Sequence, residues 1–337
     1  MTDRAIAEER VLRAARHLVS AANRDREVEE AIAEFAQITS LLPISGLKRW
    51  ERAFQYEIWQ QWRFVYRLFP YEIWRKLRSK RRLLPWLDCC DDDGYQRERA
   101  LRASSEGAPN GFLFALVLRR LNDWVPQVRA AARECIPKMA DQTKPEHIVE
   151  ALWAIFQHLP TWGRLHSEDI DVLINLLTVD GVPQQFASKL IRSTTGPAAS
   201  ILGQASRKPV LDNFLSTISR EAVQPAVRAR AYRSLLEARV VWSEGRKCVW
   251  TDKVWGRKRY EPVLGERQIF VERSLLETLK QAARDRSPIV RRVAGDALIA
   301  NLDSVGADAR AIAKALSEDS SPSVAERGNF ALKQLEP

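Results

Sequence analysis

The chain has 337 residues, 45% of them hydrophobic, so it can bury a large core, but single cores stop growing near this length and an elongated repeat or several domains is expected. Its net charge of +10 favours an acidic counterpart: nucleic acid, an anionic membrane surface or an acidic protein. No apolar run approaches a membrane span, the longest lying near Phe112 to Leu118. Cys89, Cys90, Cys135 and Cys248 suit neither a disulfide framework nor a zinc knuckle. His17, His147, His158 and His166 are scattered, so no metal and no cofactor is assigned.

In chain order, Met1 to Glu9 is charged and lacks the apolar block of a secretory signal, which reads as cytoplasmic. Val28, Ile32, Phe35 and Ile38 fall on one helical face. From Lys48 to Trp86 aromatic residues alternate with cations. Trp50, Phe54, Ile58, Trp62, Val65 and Phe69 make one inward stripe, while Tyr56, Trp59, Arg63 and Tyr66 make a second face that must be buried or bind something. After Pro70 comes a cationic run, Arg75, Lys76, Arg78, Lys80, Arg81 and Arg82, whose charges repel unless solvent or an anion screens them. Asp88, Asp91, Asp92 and Asp93 follow closely and could neutralise it.

A short phrase then recurs. Asp123-Trp124-Val125-Pro126-Gln127-Val128-Arg129 returns as Gln224-Pro225-Ala226-Val227-Arg228, as Asp285-Arg286-Ser287-Pro288-Ile289-Val290-Arg291, and degraded as Asp319-Ser320-Ser321-Pro322-Ser323-Val324. Proline is tolerated in the first helical turn, where its missing N–H is an orphan anyway, so Pro126, Pro225, Pro288 and Pro322 are predicted helix starts. The Asp or Ser just ahead is expected to cap the helix. Val128, Val227, Val290 and Val324, with Ala132, Ala231, Ala294 and Gly328 about a turn later, predict a buried stripe with a small-residue notch for a neighbouring helix. Weaker copies occur at Asp92 to Leu101, without proline, and at Asp180 to Ala187, with Phe186 where the arginine should stand.

Repetition of a helix-start signal predicts stacked helical pairs. With Arg after Val, the phrase resembles the second helix of HEAT-type repeats, over roughly three-quarters of the chain from about Asp88 onward. The resemblance implies a right-handed α-solenoid in which the capping Asp and this Arg pair between adjacent units, making Asp123, Arg129, Arg228, Asp285 and Arg291 structural. HEAT-like solenoids also occur among alkyl-purine DNA glycosylases. The chain is similar to these only in architecture and composition, and no catalytic residue can be matched.

One segment between Arg239 and Glu272 departs from the repeat. Its alternating, β-branched residues around a Gly-containing turn predict a β-hairpin at about 240–270, an insertion that lands on one face of a solenoid. The predicted tip, Trp255-Gly256-Arg257-Lys258-Arg259-Tyr260, joins aromatics to cations. It either folds over a groove that hides its tryptophans or contacts a partner.

No phosphate-cradling loop, serine elbow, His-Glu-x-x-His helix or dinucleotide fingerprint is present. The expectation is an all-α chain with one inserted hairpin, an N-terminal helical region over 1–87 and a repeat array over 88–337. Its expected role is a non-catalytic cytoplasmic scaffold binding an acidic protein partner. Candidate binding residues are Arg75, Lys76, Arg78, Lys80, Arg81 and Arg82, with Trp255, Arg257, Lys258 and Arg259 on the hairpin. The competing reading sets the same cations against nucleic-acid phosphates, with Trp255 or Trp59 stacking on bases.

Overall fold

The computed structural model describes residues 3–68 and 83–336. The proline-led phrases do open helices, Pro126–Ala140, Pro225–Leu236, Pro288–Ala300 and Pro322–Gln334, each with proline in the first turn and an extended residue before it. Val128, Val227, Val290 and Val324 are fully buried. Each contributes about 1.5–3 kcal/mol by leaving water. The notch residues serve close approach: a Cβ on Gly328 would lie 2.2 Å from the backbone nitrogen of Ser317.

By packing, the chain divides into two compact units, Met1–His158 with Trp162–Val182, and Leu159–Thr161 with Pro183–Pro337. The boundary of sequence character at 87/88 is of a different kind and falls inside the first unit. In the second unit the helices led by Pro225, Pro288 and Pro322 pack side by side in succession. Each also packs against the helix before it, Leu215–Glu221, Leu275–Ala283 or Asp308–Ser317. In the first unit Gly94–Ala103 packs on Pro126–Ala140 and Gly111–Leu118 on Pro145–Phe156. The protein is thus predominantly helical, with the repeated helix-on-helix packing of an α-solenoid and, among the described residues, a single two-stranded hairpin.

Arginine and aspartate join the repeats. Arg228 donates Nε and Nη2 to the two carboxylate oxygens of Asp285, both at 2.9 Å. Arg291 does the same to Asp319 at 2.5 and 2.9 Å. Each arginine also turns Nη1 back to the carbonyl six residues earlier, Ala222 at 2.8 Å and Asp285 at 2.9 Å. The copy without proline makes a full rung as well: Arg97 binds Asp123 at 2.8 and 2.9 Å and the Asp91 carbonyl at 2.8 Å. Its helix starts without proline because Asp93 caps it, accepting from Tyr95 N–H.

Two expectations need correction. The residues beside the prolines make no side-chain cap bond. Asp123, Asp285 and Asp319 instead accept the N–H two residues on, from Val125, Ser287 and Ser321, because this position leaves the carboxylate facing the preceding repeat. Arg129 binds the Asp123 carbonyl at 2.9 Å but, among the described residues, takes no carboxylate, and its buried Nε meets no partner there. Arg133, one turn farther along, binds Asp169 instead, at 2.7 Å. In the Asp180 copy, Phe186 fills the arginine position with fully buried hydrocarbon.

Asp3–Arg24, Val28–Thr39 and Leu47–Leu68 form the N-terminal helices. Trp50, Phe54 and Ile58 of the predicted stripe are buried, with Phe54 edge-on to Phe35 at 5.4 Å and to Phe112 at 6.4 Å. Glu51 on the same helix pairs with Arg119 and Arg120, and Arg120 continues to Asp123 at 2.9 Å. Burial alone would raise the Glu51 carboxyl, but the two arginines outweigh it and hold the group below its ordinary value. Among the described residues, no helix is long and apolar enough to cross a membrane.

Removing a partner from a buried rung leaves an uncompensated charge. Arg228→Ala is expected to cost about 3–5 kcal/mol in urea unfolding followed by circular dichroism. Arg129→Ala, with no carboxylate opposite among the described residues, is expected to cost no more than about 1 kcal/mol, since it loses one hydrogen bond but also removes an uncompensated charge. Equal losses would refute the ladder.

The terminal rung has a pH signature. Hydrogen bonding from Arg291 outweighs partial burial and holds the Asp319 carboxyl below its ordinary value. Its stabilisation is therefore fully present above the unfolded pKa, about 4, and is lost as pH falls through the lower folded value. The stability gap between the wild type and Asp319→Asn, measured by urea unfolding, should narrow from about pH 6 to about pH 2.

Candidate functional site

The inserted hairpin is bolted at its root and exposed at its tip. Strand β1, Arg239–Asp252, pairs antiparallel with β2, Arg257–Gln268, with Arg239 opposite Gln268 and Trp250 opposite Lys258. The register shifts between Ser243 and Gly245 and again between Trp250 and Asp252. At about 3.3 Å per residue the longer strand reaches roughly 45 Å. Asp252 Oδ1 accepts the N–H groups of Val254 and Trp255 at 2.9 and 3.0 Å, and Gly256 takes the left-handed conformation that closes the turn.

Arg267 anchors the root. Its guanidinium donates to both carboxylate oxygens of Asp212, at 2.5 and 2.9 Å, and to the carbonyls of Ser206 at 2.9 Å and Lys208 at 3.0 Å. Gln204 donates to the Ser243 carbonyl at 2.7 Å. Arg207 lies 5.3 Å above the Trp242 ring. Trp242 can cross the ribbon because its partner is Gly265, where a Cβ would meet the indole nitrogen at 2.4 Å.

Toward the tip the contacts end. Trp250, Trp255 and Tyr260 are 47%, 76% and 65% exposed, so the hairpin does not hide these rings, and Trp242 at the root is half-buried. Lys258 sits 4.0 Å over the Trp250 ring, the distance of a cation–π contact. Arg259 pairs with Glu261 at 2.5 Å and Lys247 with the same carboxylate at 3.7 Å. Among the described residues, Arg257 and Lys258 have no carboxylate within 4 Å.

A groove of about 620 Å³ lies between the hairpin root and the helices led by Pro225 and Pro288. Arg230, Arg233, Arg239 and Arg292 line it beside Trp242, Leu264 and Ile289. Its carboxylates are engaged: Glu237 and Glu266 pair with Arg239 at 2.9 and 2.7 Å, and Asp296 with Arg327 at 2.5 Å. Arg230 donates to the Val241 carbonyl. Burial, and secondarily the charge of Arg233, push its guanidinium below its ordinary value. The sequence reading missed this groove, whose arginines come from two helices and from the first residue of an inserted strand of unforeseen course.

Other sequence candidates lie elsewhere. Tyr56 and Trp59 are exposed on the first unit, their rings 6.2 Å apart. The run Arg75, Lys76, Arg78, Lys80, Arg81 and Arg82 lies outside the described residues, as do the side chains of Trp62, Arg63, Val65, Tyr66 and Phe69. A second groove, of about 510 Å³ in the first unit, has the opposite charge, with Asp92, Asp93 and Glu98 beside Tyr95 and Trp124. Among the described residues no three His, Cys, Asp or Glu side chains are grouped to hold a metal ion. Cys90 and Cys135 are buried thiols. The bond with Cys89 and then burial push Cys90 up, while burial first raises Cys135 to about 12, which leaves both as unreactive core groups.

No protein-family model matches the chain, and no curated protein does. Among solved structures it is similar to a designed armadillo repeat protein, YIII(Dq)4CqI, at 16% identity over 75% of this chain and 98% of the other, with a TM-score of 0.25.

Cutting 246–262 and joining Gly245 to Val263 through Asn-Gly removes the exposed ribbon but keeps the anchored root. This variant should melt within about 2 °C of the intact chain. Arg267→Ala should melt lower, and limited proteolysis should then cut in the hairpin root.

Proposed function

We propose that this protein is a non-catalytic, cytoplasmic interaction scaffold of HEAT type that binds an acidic protein partner through its inserted hairpin. The observation that carries the reading is the hairpin tip. Exposed Trp250 and Trp255 stand beside Arg257 and Lys258, cations without carboxylate partners among the described residues. Aromatic side chains and arginine are enriched at the centres of protein interfaces, where they supply large contact area and planar hydrogen bonding. A rigid root with a free tip holds such groups out without asking the helices to rearrange. The run Arg75 to Arg82 adds positive charge that steers an acidic partner.

Nucleic acid is the competing partner, because exposed tryptophans beside cations also stack on bases and contact phosphates. Fluorescence anisotropy with a labelled octaglutamate peptide and a labelled twenty-nucleotide single strand separates the two readings. The peptide should bind the intact chain. Replacing Arg257, Lys258 and Arg259 by serine should weaken it at least about tenfold, equivalent to about 1.4 kcal/mol, and Trp255→Ala should weaken it further. Binding of the oligonucleotide alone, with an affinity falling steeply between low and physiological salt, would transfer the function to nucleic acid.

A further inference from the structure

Three withdrawn arginines of the second unit close on a carboxylate of the fold. Arg228 has Asp285, Arg267 has Asp212 and Arg291 has Asp319, each held by two nitrogens. Arg230 is also partly buried, yet among the described residues it meets no carboxylate within 4 Å and gives one bond to a neutral acceptor, the Val241 carbonyl. A guanidinium carries five donors, and a charge taken out of water without a counter-charge is costly.

The surroundings increase that cost. Arg233 lies close enough to oppose the charge. Arg292, on the next helix, lines the same groove exposed and, among the described residues, without a carboxylate partner. The position is also built for close approach. A Cβ on Gly203 would lie 2.2 Å from Arg230 Nη2 and 2.6 Å from its central carbon, so only glycine lets the guanidinium rest on the Ala198–Ala205 helix. Trp242, Leu264 and Ile289 give the groove an apolar wall, which strengthens any charge pair formed beside it.

We infer that this groove is a carboxylate subsite, in which Arg230, flanked by Arg233 and Arg292, receives an Asp or Glu side chain from an acidic segment of the partner protein. The inference rests on the proposed acidic partner and locates one of its side chains at the hairpin root, away from the tip. The planar fork of Arg230 matches a carboxylate through two parallel bonds, the arrangement found in each rung of this unit. Occupation would supply the counter-charge that the fold gives to Arg228 and Arg291.

The test uses the full chain, labelled octaglutamate as the probe, and three variants. Arg230→Gln should weaken peptide binding at least about fivefold, while its melting temperature without peptide equals or exceeds that of the wild type, because an uncompensated charge has been removed. An arginine that served only to pin Val241 would instead lower the melting temperature and leave affinity unchanged, which overturns the inference. Gly203→Ala reaches the same group by another route. Its methyl displaces the guanidinium while alanine favours the helix, so binding should fall with the fold intact. The serine triple variant at 257–259 separates this inference from the reading beneath it. If that variant loses binding while Arg230→Gln and Gly203→Ala retain it, the subsite is wrong and the tip reading stands. If the wild type does not bind the peptide, both fall. Competition by inorganic phosphate at concentrations where acetate has no effect would reassign the groove to a phosphoryl group and overturn the carboxylate assignment.

Discussion

The bidentate pair between an arginine in one repeat and the aspartate that opens a later one is the constraint from which the solenoid packing follows. Each arginine holds the carbonyl six residues back in its own helix start and the carboxylate of the succeeding start. One side chain thereby sets the chain entering its own helix and the offset of the neighbouring helix. An apolar stripe of valine and alanine drives burial but tolerates sliding, because dispersion and hydrophobic contact are not directional. Two parallel charge-assisted hydrogen bonds are satisfied at one offset. The rungs therefore supply register to a stack whose cohesion comes from the valines.

The ladder also explains how the chain accepts a long insertion. Arg97 reaches Asp123 across 26 positions and Arg291 reaches Asp319 across 28, whereas Arg228 reaches Asp285 across 57 with the same geometry. The difference is the hairpin. Closure entropy grows only with the logarithm of loop length, so extra residues between two rungs cost little once the rung forms. The inserted ribbon keeps its own hydrogen bonds and returns through Arg267 and Asp212 to the body that it leaves.

The positive charge of the chain is unevenly compensated. Inside the ladder each paired arginine has a matched carboxylate, and these charges are closed to outside partners. At the hairpin tip and in the groove at its root, Arg257, Lys258, Arg230 and Arg292 lack such partners among the described residues. Charge count alone does not distinguish these classes, because Arg228 and Arg230 stand two positions apart on one helix and, among the described residues, only Arg228 meets a carboxylate. The acid-lined groove beside Trp124 adds that the net charge of the whole chain says little about any single concavity.

Local signals in the sequence determined the helix starts, the inward valines, the small-residue notches and the existence of the hairpin, because proline geometry, residue periodicity and turn chemistry act over a few neighbouring residues. The predicted tip, Trp255 to Tyr260, overlaps the observed turn at 253–256 and runs on into the second strand. The local signals did not single out Arg97, whose copy lacks proline yet completes a rung, and they misjudged Arg129, whose copy is intact yet finds no carboxylate among the described residues. Whether an arginine meets an aspartate depends on which helix comes beside it, and that is settled by packing between residues distant in the chain. The groove around Arg230 belongs to the same class. Its Gly203 cradle and Trp242 wall come from a helix before it and a strand after it, and only the folded arrangement brings them against one guanidinium.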